Sequence, residues 1–146
     1  PLKLGNLQRI YQVSVDTLQV QLLDNHMQPL LSQPLLEDLR SPFASQDGAN
    51  MIAILQGIEN LFYVENGFVQ EIKLHHAETA DKITAQFKRL MRDMKNLPVN
   101  VAQQSLQKRQ KVIAPLQQKL IKLMEHLYAG AQILGLPLEA LPVSTN

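Results

Sequence analysis

The chain has 146 residues, is 45% hydrophobic and 5% aromatic, and carries a formal net charge of +1. That length supports one hydrophobic core and is short for two, and a second half dominated by Leu, Gln, Ala and Lys suits a helical bundle better than a sandwich. Without Cys, disulfides, thiolate metal sites and cysteine nucleophiles are excluded; a reducing compartment is allowed, and the cytoplasm is the expected location.

Leu4, Leu7, Tyr11, Val15, Leu18 and Leu22 recur at steps of three and four, which predicts a helix starting near Gly5-Asn6. Two short strands around Asp16-Thr17 are the rival, since Val13 and Val15, then Leu18, Val20 and Leu22, also alternate. Asp-Thr is not a favoured hairpin turn, so the helix is preferred. Gln28-Pro29-Leu30-Leu31 is echoed by Gln33-Pro34-Leu35-Leu36, a period too short for a solenoid. A bend is expected at Pro29, then a short helix that Ser32 caps and Pro34 opens, ending before Ser41-Pro42. Residues 41–50 carry Pro, Ser, Asp and Gly and read as a flexible joint.

Met51, Ile52, Leu55, Ile58, Leu61, Phe62 and Val64 predict a broad-faced, mostly buried helix. Asn66-Gly67 interrupts it. That dipeptide is a type I′ hairpin signal, and a short β-hairpin around it is the alternative; a helix end followed by a new helix is preferred, because the flanking apolar residues keep no common period of two.

From about Glu71 to Leu134 the pattern becomes two long helices joined at Lys95-Asn96-Leu97-Pro98-Val99-Asn100. Ala80, Ile83, Phe87, Leu90, Met94 and Leu97 form one narrow seam, of coiled-coil width. Leu106, Ile113, Leu116, Leu120, Leu123 and Leu127 continue it in the second helix, where Ile121, Met124 and Tyr128 add another apolar face. The second helix is therefore expected to be central and antiparallel to the first, capped by Asn100 with Gln103 and kinked by Pro115 near residues 111 to 114. Gly135-Leu136-Pro137 ends it. The longest uncharged apolar stretch, 127–138, is about half a membrane span and is broken by Gly130, Gly135 and Pro137, so no transmembrane segment is expected.

Charge is the most informative feature. Residues 1–72 hold three basic and eight acidic residues, residues 73–146 eleven and five, so a near-neutral total hides halves of −5 and +6. The reading is one all-α domain over 1–146, a helical bundle with an acidic N-terminal half (1–70), a basic, long C-terminal antiparallel helical hairpin (71–135) and a short tail (136–146). Lys88, Arg89, Arg92 and Lys95 fall opposite the seam, and Lys108, Arg109 and Lys111 lie across the turn, so these seven are the candidate partner-binding or polyanion-binding residues. The polar residues around them suggest that the rest of the fold leaves the hairpin tip uncovered. A solvated face is the competing explanation of the same charges.

Chemistry motifs fail. Gly130 and Gly135 lack the Lys-Ser/Thr of a phosphate loop, and no Ser lies in a Gly-x-Ser-x-Gly turn. Glu71, His75, His76 and Glu78 have helical spacing for ligands but neither copy of the paired Glu-x-x-His pattern, and an ordinary exposed His pair is expected, with no cofactor. The expected role is thus non-enzymatic: a protein interaction module of adaptor, secretion or assembly-factor, or chaperone type, working through helical surfaces and self-associating, with twofold dimers the commonest solution. The alternative is a nucleic-acid-associated factor with a basic arm. No aromatic residue interleaves the basic ones except Phe87, which the seam claims, so a stacking platform for single strands is disfavoured.

Overall fold

The computed structural model describes residues 4–34 and 47–139, apart from the side chains of Leu4 and Asp47. Helix α1 (Leu4–Thr17) passes without a break into a π-helical stretch, Leu18–Met27, and then into α2 (Gln28–Ser32), so that one rod runs from Leu4 to Ser32. The apolar residues explain the change of winding. Leu18, Leu22 and Met27 are buried at steps of four and five, wider than an α-helical stripe, and pairing of i with i+5 keeps them on one side. Side chains follow the same period: Gln19 donates to Asp24 at 3.2 Å, and the His26 ring lies 2.8 Å from the Gln21 carbonyl. At ten residues this stretch far exceeds the single-turn bulge in which π pairing is ordinarily found.

Helical winding is not interrupted at Pro29. This residue occupies the first turn of α2, where pairing changes and a missing donor is tolerated. Ser32 is the last residue of α2, and its hydroxyl donates back to the Gln28 carbonyl at 2.8 Å. The short helix expected beyond Pro34, and the joint expected at 41–50 as far as residue 46, lie outside the described residues.

Helix α3 (Asp47–Phe62) buries Met51, Leu55, Ile58 and Phe62. A turn follows in which Asn66 takes φ 60, and α4 (Phe68–His75) begins after Gly67. Gly67 matters here for space and not for its dihedrals, since a Cβ would lie 2.7 Å from the Val64 carbonyl oxygen. No strand occurs among the described residues, so the helix end at Asn66-Gly67 holds and both strand alternatives fall; the fold is all-α.

The first long helix is divided. His76, at φ −155 and ψ 87, separates α4 from α5 (Ala77–Lys95), and its Nδ1 accepts the Thr79 N–H at 3.2 Å as an N-cap. The second is α6 (Leu106–Ile133), continuous through Pro115. Its cap is Ser105, whose hydroxyl accepts the Lys108 N–H at 3.3 Å. Asn100 makes no side-chain cap and precedes only a 3₁₀ turn, Val101–Gln103. Antiparallel α5 and α6 form the centre, with α3 and α4 packed on α5 and the N-terminal rod on α6.

Both seams are in the core except for their ends: Ala80, Ile83, Phe87, Leu90 and Met94 are buried with Ile113, Leu116, Leu120, Leu123 and Leu127, while Leu97 and Leu106 are partly exposed. Tyr11, Phe62 and Phe68 join the helices at one end, with ring centroids 4.9 to 5.2 Å apart. The Tyr11 hydroxyl donates to the Leu127 carbonyl of α6, and burial pushes its pKa well above the ordinary range. Gly130 makes this approach feasible, because a Cβ there would sit 2.6 Å from Ile72 Cδ1 and 2.9 Å from the Tyr11 oxygen. Helix α6 ends in a Schellman motif: Gly135 takes φ 70, the Leu136 N–H reaches the Ala131 carbonyl at 2.8 Å, and the Gly135 N–H reaches Gln132 at 3.1 Å.

Candidate functional site

The seven basic residues do not form one surface. Lys88, Arg89, Arg92, Lys95, Lys108 and Lys111 are exposed, but Arg109 is 1% exposed and belongs to the interior. Its guanidinium donates from Nε to Gln104 at 2.9 Å, from Nη1 to the Leu30 carbonyl at 2.9 Å, and from Nη2 to Gln33 at 2.5 Å and Pro34 at 3.2 Å. These are main-chain carbonyls, and those of Leu30, Gln33 and Pro34 lie at and just beyond the end of α2, where a helix leaves unpaired acceptors and partial negative charge. Gln110 adds a bond to Leu31 at 3.0 Å. One face of the first turns of α6, at Arg109, is therefore covered by the end of the N-terminal rod, while Lys108 and Lys111 beside it stay exposed. The seam spacing separates Arg109 from its neighbours: it lies three residues after Leu106 and four before Ile113, on the buried stripe, whereas Lys108 and Lys111 fall off it.

The remaining basic residues divide around α5. Lys88, Arg92 and Lys95 line one shallow groove with Gln56 and Glu59 of α3, while Arg89 faces another that holds Lys82, Glu78, Asp81 and His126. Several are engaged. Arg92 lies 3.3 Å from Asp93, Lys82 lies 3.3 Å from Glu78, and Asp93 also pairs with Lys119 across the hairpin. The Lys119 hydrogen bond holds the Asp93 carboxyl below the usual carboxylate range. His126 is shifted down, chiefly by burial and then by Lys122 and Lys82. Arg92 and Lys95 fall in the last turn of α5, where cations stabilise the helix dipole without any ligand.

The break at His76 takes the Glu71, His75, His76 and Glu78 set off a single helical face and gives His76 a capping role. Among the described residues no group of three His, Asp or Glu side chains is placed to hold a metal ion, and no helix is long and apolar enough to cross a membrane.

A concavity of a different kind lies elsewhere among the described residues. At the end of the molecule that holds the α3–α4 turn and the end of α6, a half-open cavity of about 820 Å³ is floored by Leu7 and Ile10 of α1, Phe68 of α4 and Ile133 of α6. Leu61 and Val64 stand on its margin, 39% and 52% exposed. Glu65, Glu71 and His75 supply the titratable groups of the lining, in which no Lys or Arg stands among the described residues. Beside it the chain beyond α6 is tied to α1, where Gln8 donates to the Pro137 carbonyl at 2.7 Å and the Glu139 N–H donates to Gln12 at 2.9 Å. No sequence motif marks this groove, because its walls come from the ends of four helices; the only local sign is the pair Leu61 and Val64 just before Asn66-Gly67. The chain matches no known protein family, no characterised protein and no solved structure.

Proposed function

We propose that the protein is a non-enzymatic interaction module, of adaptor, assembly-factor or chaperone type, whose apolar groove takes an amphipathic segment of a protein partner with basic residues beside its apolar anchors. One observation carries this reading: an apolar cavity of about 820 Å³ edged by Glu65 and Glu71, with no Lys or Arg in its lining among the described residues. Apolar side chains at i and i+3 or i+4 of a docked helix gain burial on Leu7, Ile10 and Phe68, and the carboxylates select the charge that flanks them. Partly exposed Leu61 and Val64 extend the apolar margin beyond what scattered surface residues need.

Fluorescence anisotropy with two labelled synthetic peptides tests it, one an amphipathic helix of Leu and Lys, the other its Leu and Glu counterpart. The Leu-Lys peptide binds and the Leu-Glu peptide does not; Val64→Asp, or Glu65→Lys with Glu71→Lys, weakens binding by about tenfold, equivalent to about 1.4 kcal/mol. Equal binding of both peptides, or indifference to these substitutions, overturns the reading.

A second reading, a nucleic-acid-associated factor, is favoured by the convergence of Lys88, Arg92 and Lys95 on one groove. It is weakened by Glu59 in the same groove and by the burial of Arg109.

A further inference from the structure

We infer that the groove accepts the α5–α6 tip of a second copy of this chain, so that copies associate head to tail; this rests on the groove reading above. The tip presents Val99, at 81% the most exposed large apolar side chain among the described residues, beside half-buried Pro98 and Leu97, the latter packed on the core. Exposed Lys95 precedes it, and exposed Lys108 follows in the first turn of α6. An apolar anchor between basic residues is what a groove edged by Glu65 and Glu71 selects.

The two surfaces lie at opposite ends of the hairpin. His75, beside the start of α5, lines the groove, whereas the tip follows its end; nineteen helical residues separate them, about 28 Å at 1.5 Å per residue. One copy therefore cannot fill its own groove with its own tip. Twofold pairing through like surfaces is disfavoured by charge, because groove against groove sets Glu65 and Glu71 against their equivalents, and tip against tip does the same to Lys95. Tip into groove alone brings apolar to apolar and cation to carboxylate. Such a contact leaves a free groove on one copy and a free tip on the other, so it grows into a chain or closes into a ring, the smallest being a reciprocal pair with each tip in the other copy's groove.

Sedimentation velocity of the full chain over rising concentration, with Val99→Asp and Val64→Asp as variants, tests this. Both positions are exposed, and circular dichroism confirms that each variant stays folded. Wild type is expected to self-associate as concentration rises, and each variant alone to associate at least about tenfold more weakly, the loss of about 1.4 kcal/mol. An equal mixture then forms a one-to-one pair that does not grow, since the Val99→Asp copy keeps its groove and the Val64→Asp copy keeps its tip. Wild type that stays monomeric, Val99→Asp that assembles by itself, or a mixture that fails to pair overturns the inference. The Leu-Lys peptide tells the two failures apart: Val64-dependent peptide binding by a monomeric wild type removes only self-docking, whereas no peptide binding removes the groove reading as well.

Discussion

The Nη1 of Arg109 donates to the carbonyl of Leu30 at 2.9 Å, across 79 positions of sequence, and ties the start of α6 to the end of the N-terminal rod. Arg109→Met leaves the carbonyls of Leu30, Gln33 and Pro34 without their donor in a covered site. The expected cost is about 2–4 kcal/mol, measured by urea denaturation. Arg109→Lys restores charge but not the planar fork, and recovers only part of it. Lys108→Ala, at an exposed position one residue away, changes stability by less than about 0.5 kcal/mol.

Tyr11 and Gly130 form a second coupled pair. Removing the hydroxyl in Tyr11→Phe leaves the Leu127 carbonyl without that partner and costs about 1–2 kcal/mol. Gly130→Ala places a methyl 2.6 Å from Ile72 Cδ1 and 2.9 Å from the Tyr11 oxygen, an overpacking worth about 1–3 kcal/mol. The double variant is expected to be destabilised by less than the sum, because Tyr11→Phe takes away the phenolic oxygen that the new methyl would otherwise meet. A double-mutant cycle on thermal or urea midpoints measures this.

The all-α class, both seams, the helix end at Asn66-Gly67 and the stop at Gly135-Leu136-Pro137 are readable from sequence because each depends on residues close together in the chain. Helix starts are less legible. The caps fall on His76 and Ser105, and His76 reads as a potential ligand until the chain turns there. The π stretch shows in the sequence only as a widening from Leu18 to Met27, which a helical stripe absorbs without complaint. At Arg109 the burial is legible in the seam spacing, three residues after Leu106 and four before Ile113, but the basic run hides it and its partners are carbonyls some 75 to 80 positions away, groups that carry no side-chain signature. The groove is invisible for the same reason, being assembled from helix ends far apart in sequence.

Acid weakens the α5–α6 pairing through Asp93. Its folded pKa lies below the unfolded value, with the Lys119 hydrogen bond the leading cause, so its contribution is complete above the unfolded pKa. It disappears as pH falls through the folded value. Asp93→Asn is therefore expected to flatten the loss of stability below about pH 5. At neutral pH it costs no more than about 1 kcal/mol, since both partners are partly exposed and solvent screens the pair. Urea midpoints at stepped pH, for wild type and variant, give the comparison; parallel curves would remove Asp93 from the account.

The two functional readings separate on salt. If the groove lined by Lys88, Arg92 and Lys95 holds nucleic acid, wild type binds duplex DNA at low ionic strength with a steep salt dependence. Replacing these three by Gln then reduces the log-log slope by about 0.9 for each phosphate no longer neutralised. Arg92 is expected to matter least, because Asp93 already lies 3.3 Å from its Nε. Lys108→Gln with Lys111→Gln tests whether the start of α6 contributes, and Arg109 is left intact, since its removal weakens the fold and confounds any change in binding. The interaction-module reading expects no salt-sensitive binding to duplex or single strands in any of these proteins. Binding by wild type that survives both sets of substitutions removes the basic residues of α5 and α6 from the site, whereas an absence of binding leaves the groove at the other end of the hairpin as the working surface.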